Sequence, residues 1–240
     1  MSIAHKTILI TGANRGIGRA MVHEALRRGA KRVYAGTRSG EIDISDPRLV
    51  PLALDVTNPA QIRQAAEKVE ALDILVNNAG IAIYDDLGDL EVVQRHLDVN
   101  LFGMLRMTQA FLPQLKVSRG AVVNHLSIVA LASLPIISGY SLSKAGALNM
   151  TQSLRAQLAG HGVGVHAVLL GPIDTDMNRG FDIPKATTAS AAQNIFDGLE
   201  RGEEEIFPDP TSKSIADGWR NGVAKALERQ FAPFVPANAA

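Results

Sequence analysis

Tyr140 and Lys144 stand four positions apart in the stretch Y-S-L-S-K. On a helix that spacing puts a phenol and an ammonium on one face about one turn apart, close enough to share a ligand. An unperturbed phenol has a pKa of about 10, too high to exchange protons near neutral pH unless a neighbouring cation favours the phenolate. Lys144 can be that cation. Ser127 lies just after the apolar run 121–126, where a strand would end and expose a hydroxyl. Together the three side chains describe a proton-transfer site for a carbonyl or alcohol oxygen. A Tyr-x-x-x-Lys pair also arises by accident on solvated helices, so the surrounding elements must decide.

The first of these elements is a β-branched apolar run, residues 7–11, followed at once by Gly12-Ala13-Asn14-Arg15-Gly16-Ile17-Gly18 and an amphipathic segment ending near Gly29. Strand, glycine-rich turn and helix form a context for phosphate binding. Glycines admit the ligand to the backbone, and the helix N-terminus presents free N–H groups. The spacing is G-x-x-x-G-x-G, not the commoner G-x-G-x-x-G, and a turn without a ligand is the plain alternative. A second strand over 32–37 ends at Thr37, Arg38 and Ser39. An NAD site usually carries an acid there, whereas Arg38, with Arg15 in the turn, could pair with a 2'-phosphate, so the pattern favours NADP over NAD. A third strand over 49–56 ends in Asp55 and Val56, which could touch an adenine ring, and Asn58-Pro59 caps a helix reaching to residue 70.

A short fourth strand, 74–76, runs into Asn77-Asn78-Ala79-Gly80, ordinary turn chemistry that could also hold a ribose or brace the central strands. A long helix is expected over 91–115. Asn100 lies inside it, an unfavourable mid-helix residue that calls for a kink or a water site serving Lys144. The fifth strand spans 121–126, the helix carrying Tyr140 spans 138–159, and a sixth strand spans 163–170. Gly171-Pro172 opens a loop that includes Ile173 and Thr175. Further expectations are a helix over 188–199, an edge strand over 205–207, a terminal helix over 212–229 and an extended tail over 231–240.

No boundary divides the 240 residues. Strands alternating with helices imply an α/β fold, a single doubly wound parallel sheet of Rossmann type with helices on both faces, over 1–240 as one domain. In such a sheet ligands sit at the carboxyl ends of the strands. The glycine turn, Thr37 to Ser39, Asn77 to Gly80, Ser127 and Gly171 to Thr175 all fall at such ends.

Composition narrows the partners. Twenty-four basic and twenty-four acidic residues cancel without long runs of one sign, which argues against a nucleic-acid partner and for a small molecule. There is no cysteine, so disulfides and thiolate catalysis are excluded, and the six histidines show no metal-ligand spacing. No apolar run approaches the length of about 18 residues needed to span a membrane. A cytoplasmic protein is expected.

The ordered set Thr11-Gly12-x-x-x-Gly16-x-Gly18, Asp55, Asn77-Asn78-Ala79-Gly80, Asn100, Ser127 and Tyr140-x-x-x-Lys144 closely resembles the classical short-chain dehydrogenases and reductases, continuously over residues 7–177. The resemblance implies an NAD(P)-dependent oxidoreductase. Tyr140 would be the general acid or base, with Lys144 lowering its pKa and binding the nicotinamide ribose. Ser127 would hold the substrate oxygen, and Asn100 would position a water in a proton relay. Gly12, Asn14, Arg15, Gly16, Ile17, Gly18, Thr37, Arg38, Asp55, Val56, Asn77, Ala79, Gly80, Gly171, Ile173 and Thr175 would line the cofactor, with Thr37 in the place of the NAD-selective acid. It also implies a homo-oligomer, a tetramer or dimer.

Two features depart from the pattern. Leu170-Gly171 replaces the family's Pro-Gly, and a brief segment, with the substrate loop at about 171–187, replaces a longer covering region, which implies a roomy pocket. The expected activity is NADPH-dependent reduction of a ketone or aldehyde, reversibly and on an apolar substrate. The competing activities are an NADP-dependent dehydratase or epimerase and a non-catalytic NADP-binding regulator.

Overall fold

A computed structural model describes residues 1–235. Seven strands, β1 (Thr7–Thr11), β2 (Arg32–Thr37), β3 (Leu49–Ala53), β4 (Ile74–Asn77), β5 (Ala121–His125), β6 (Gly164–Val168) and β7 (Glu205–Ile206), form one parallel sheet. Its order is β3-β2-β1-β4-β5-β6-β7, so the direction of winding reverses between β1 and β4. Both faces are covered, which explains strands that are apolar throughout instead of alternating. Ile8 and Ile10 of β1 enter one core with Met21, Val22 and Phe196, while Leu9 between them enters the opposite core with Ile62, Met107 and Phe111.

The helices are α1 (Gly16–Arg27), α2 (Pro59–Lys68), α3 (Leu90–Leu97), α4 (Gly103–Ser118), α5 (Ser138–Ala159) and α6 (Thr188–Glu200), followed by the short α7 (Pro210–Lys213), α8 (Ala216–Arg220) and α9 (Val223–Phe231). On one face α1 packs on α6, and on the other α2 packs on α4. Asn58 caps α2 as expected, accepting from Ala60 and Gln61 N–H with Pro59 in the first turn. The helix expected over 138–159 matches α5, and the expected edge strand is β7.

Two long helices are broken. The helix expected over 91–115 is α3 and α4 joined by one turn of π-helix, Asp98–Phe102, which contains the buried Asn100. The extra residue in that turn lets the amide face inward, where it finds partners that a regular helix would deny it. The terminal helix expected over 212–229 is three short ones, α7 to α9. A Cβ on Gly222, at the junction of α8 and α9, would lie 2.7 Å from the Gly218 carbonyl oxygen. Ionic contacts hold α9 to the body. The buried Lys225 Nζ donates to Glu205 at 2.8 Å and Glu228 at 3.0 Å, and Arg155 of α5 bonds the same two carboxylates. Of the extended tail expected over 231–240, Phe231 closes α9, and residues 236–240 lie outside the described residues.

Candidate active site

The turn after β1 is built for close backbone approach. Gly12 has φ +64°, and a Cβ there would meet the Ala79 backbone at 3.0 Å. A Cβ on Gly18 would lie 2.3 Å from the Gly12 carbonyl oxygen. The turn therefore closes tightly only with glycine at both positions. No side chain caps the start of α1, so its first N–H groups are open to an acceptor. Thr11 and Asn78 tie the turn to the neighbouring strand end. The Thr11 hydroxyl accepts from Asn78 and Ala79 N–H, each at 3.0 Å, and Asn78 Nδ2 donates to the carbonyls of Thr11 at 2.8 Å and Gly12 at 3.1 Å.

Lys144 is buried on α5, and its Nζ donates to the His125 carbonyl at 2.8 Å and lies 5.6 Å from the centre of the Tyr140 ring. A Cβ on Gly80 would approach that Nζ at 3.8 Å, so the ammonium stands between the phenol and the end of β4. Ser127 begins the turn after β5. Its hydroxyl donates to the Leu170 carbonyl at 3.2 Å, accepts from Val129 N–H at 3.3 Å, and lies near enough to the Tyr140 phenol to favour the phenolate. Tyr140, Lys144 and Ser127 thus converge at the carboxyl ends of the central strands.

Burial dominates their ionisation. It pushes the Tyr140 phenol up to about 12, with the Ser127 hydroxyl working the other way, and it pushes the Lys144 ammonium down to about 7. The expected lowering of the phenol by Lys144 is therefore not found in the protein alone. A half-buried phenol and a buried ammonium each lose more hydration than the other returns at this separation.

Asn100 pairs with Ile81 as a second backbone would. It accepts from Ile81 N–H at 2.9 Å and donates to the Ile81 carbonyl at 2.9 Å, and Nδ2 also donates to Ser143 Oγ at 3.0 Å, one residue before Lys144. A turn of π-helix stands where a kink was expected at Asn100, and the Asn100 side chain braces the segment after Gly80 against α5.

The remaining expected residues divide into two groups. Gly16 faces Thr175, whose Cγ2 would lie 3.4 Å from an added Cβ, so the loop after β6 closes on the turn. Asn14, Arg15 and Arg38 are exposed around it, Arg15 pairing with Asp176 at 3.7 Å, and Asp55 half-buried accepts from the Thr57 N–H and hydroxyl. Thr37, Val56, Asn77 and Ile173 are buried instead. Thr37 donates to the Glu41 carbonyl, Val56 packs on Gly103, and Asn77 bonds Thr108 and Asn124 beneath the site. Ile17 packs against the core under α1.

Asp209 was not anticipated. Buried beside α7, it accepts from Gly171 N–H at 2.8 Å, and a Cβ on Gly171 would lie 2.4 Å from its carboxylate. This contact holds the backbone where the expected Pro-Gly is replaced by Leu170-Gly171. His125 was missed as well. Asn78 spends its amide hydrogens on the turn, so its oxygen accepts from His125 Nδ1 at 3.0 Å, and burial with the Lys144 charge pushes His125 down to about 3. Asp209-Pro210 signalled a helix start but not the bond to Gly171, and a histidine in an apolar strand near Ser127 was the signal for His125.

The model of the short chain dehydrogenase family matches residues 6–185. The chain belongs to the short-chain dehydrogenase/reductase family. A short-chain dehydrogenase from Burkholderia cenocepacia, solved in complex with NADP, is 38% identical and covers 98% of this chain and 100% of its own, with a TM-score of 0.88. The 3-oxoacyl-[acyl-carrier-protein] reductase of Escherichia coli is 34% identical over 190 residues, 75% of this chain and 78% of that protein. An 11-beta-hydroxysteroid dehydrogenase A from Sesamum indicum is 28% identical over 263 residues, 95% of this chain and 75% of that protein. As a family member this chain is an oxidoreductase with the family's Rossmann-type sheet.

Proposed function

We propose that this protein reduces a ketone or aldehyde to an alcohol with NADPH, reversibly, with Tyr140 as the general acid and base. The observation that carries the proposal is Lys144, held at 2.8 Å by the His125 carbonyl between the Tyr140 ring and the end of β4. One buried ammonium thereby serves a proton-transfer group and a ligand cradle together.

The cradle fits a dinucleotide. Gly12 and Gly18 close the turn that presents the uncapped start of α1 to a pyrophosphate, with Asn14, Gly16 and Thr175 beside it. Arg38, exposed after β2, and Arg15, exposed beside Asp176, are the basic groups for a 2'-phosphate, and the relative from Burkholderia cenocepacia was solved with NADP. When bound, NADPH supplies a hydride. The Ser127 hydroxyl turns from the Leu170 carbonyl to hold the substrate oxygen. The Tyr140 phenol keeps its proton well past neutral pH, as a donor to a developing alkoxide must, and releases it there. Lys144 stabilises the phenolate left behind. Asn100, bonded to Ser143, anchors a proton relay behind the lysine.

The substrate is a small apolar carbonyl compound. Tyr84, Leu134, Ile136 and Met177 are exposed apolar side chains in the segments that flank the site, a surface that water disfavours and an apolar substrate would cover. We extend the same reading to one Rossmann-type domain over the whole chain, a cytoplasmic location and a homo-oligomer. Among the described residues, no helix is long and apolar enough to cross a membrane.

The test is NADPH oxidation with cyclohexanone, acetophenone and 2-octanone. Tyr140→Phe should lower turnover by about a hundredfold to ten-thousandfold. Near-normal turnover in that variant would remove Tyr140 from the chemistry.

A further inference from the structure

His96 of α3 is fully buried, and its Nε2 accepts from Ile83 N–H at 2.9 Å. That bond puts the imidazole proton on Nδ1. Nδ1 faces Asp85 Oδ2 at 3.9 Å, beyond hydrogen-bond reach, and both atoms are buried without a hydrogen-bond partner among the described residues. Buried polar atoms left in this way are unusual and call for a reason. The other carboxylate oxygen, Asp85 Oδ1, accepts from Gly139 N–H at 2.8 Å in the first turn of α5, a helix whose N-terminus has no side-chain cap of its own. Asp85 thus caps the helix from across the fold. Two backbone bonds, Asp85 N–H to the Ile136 carbonyl at 3.3 Å and Ser138 N–H to the Asp85 carbonyl at 3.4 Å, strap the same segment to the helix start. The His96 ring meets the Tyr140 ring edge to face, with centres 6.3 Å apart and planes at 70°.

Gly139 makes the arrangement possible. A Cβ there would lie 3.0 Å from His96 Nδ1 and 3.1 and 3.2 Å from the two Asp85 oxygens. We propose that Asp85 and His96 are positioning residues for Tyr140. The carboxylate sets the start of α5, and the imidazole, its tautomer fixed by Ile83 N–H, sets the plane of the phenol. The proposal rests on the reading of Tyr140 as the acid and base. Burial, with Arg95, disfavours a proton on Nε2, while Asp85 and the Val92 carbonyl favour the charged ring; the balance leaves the His96 pKa below its ordinary value, so the pair works with a neutral imidazole.

The test compares Asp85→Asn, His96→Leu, the double variant of these two, Gly139→Ala and Tyr140→Phe in the full chain. The readouts are kcat for the best-accepted ketone of the three above, the Kd for NADPH and the melting temperature. Asn keeps an acceptor for Gly139 but turns a donor toward Nδ1–H. Ala removes no polar group and favours the helix, so it tests the geometry even if the other variants fold poorly. The expected result is a fall in kcat of about ten- to hundredfold in Asp85→Asn and Gly139→Ala, with NADPH binding within about twofold. The double variant should cost no more than the worse single change, because the two residues act as a unit. Wild-type kcat in folded Asp85→Asn or Gly139→Ala, with Tyr140→Phe inactive, overturns the positioning proposal alone. An active Tyr140→Phe overturns the acid–base reading on which it rests.

Discussion

Lys144 Nζ donates to the carbonyl oxygen of His125 at 2.8 Å, so the ammonium is anchored to the last residue of β5 and not to a carboxylate. A neutral carbonyl orients the group without neutralising it, and burial then weakens its hold on the proton, with a pKa of about 7. No carboxylate pairs with it among the described residues, which leaves the charge available for a ligand.

This arrangement makes Lys144 costly to stability at low pH. The unfolded lysine titrates near 10.5 and the folded one near 7, so between those values the unfolded chain holds more protons and stability rises with pH. The penalty is fully present below about 7, on the order of a few kcal/mol. Lys144→Met should therefore raise the melting temperature of the cofactor-free protein at pH of about 6, raise it less as pH climbs toward 10, and abolish turnover. Thermal melts across that range decide it; a variant less stable than wild type at the acid end would show that burial is not what shifts the group.

The glycine turn offers a second check. A Cβ on Gly18 would lie 2.3 Å from the Gly12 carbonyl oxygen, a contact no side chain makes without moving backbone. Gly18→Ala should open the turn, weaken NADPH binding by at least about tenfold and destabilise the fold by about 1–3 kcal/mol. Fluorescence titration with NADPH reads the first effect and urea unfolding the second. Unchanged binding would mean that the tightness of this turn has no bearing on the cofactor.

The proposed preference for NADPH over NADH is tested at Arg38. It is exposed after β2, while Thr37 beside it is buried and donates to the Glu41 carbonyl. Arg38→Asp should lower the ratio of kcat/KM for NADPH over NADH by about tenfold or more, since a charge-assisted contact to a 2'-phosphate would be lost. Steady-state kinetics with both cofactors measure the ratio, and an unchanged value would shift the assignment to Arg15 or to neither residue.

Tyr84 and Phe181 approach across the flanking segments, their ring centres 6.0 Å apart and tilted by 33°. Tyr84→Ala should part that contact and raise kcat/KM for acetophenone relative to cyclohexanone by about threefold or more, an aromatic pair contributing about 1 kcal/mol. Equal effects on both ketones would place the pair outside the substrate path.

Local chemistry was legible in the chain. The β-branched run before Gly12, the Asn58-Pro59 cap, the span of α5 and the four-residue step from Tyr140 to Lys144 depend on neighbours within a turn or two. Propensity and periodicity report such neighbours directly. Alternation between helices and strands carried the sheet class for the same reason. Asn100 was visible as a residue out of place in a helix, but not that it would open a π-turn and pair with Ile81.

Tertiary structure alone decided the contacts between residues far apart in sequence. Asp85 reaches Gly139 across 54 positions, Asp209 reaches Gly171 across 38, and Lys144 reaches the His125 carbonyl across 19. No periodicity announces an aspartate that caps a distant helix or holds the backbone at a distant glycine. The ionisation of the Tyr140 and Lys144 pair belongs to the same class. Residue types and spacing established that the two could meet; how far each proton is displaced depends on burial, which exists only once the whole sheet has closed around them.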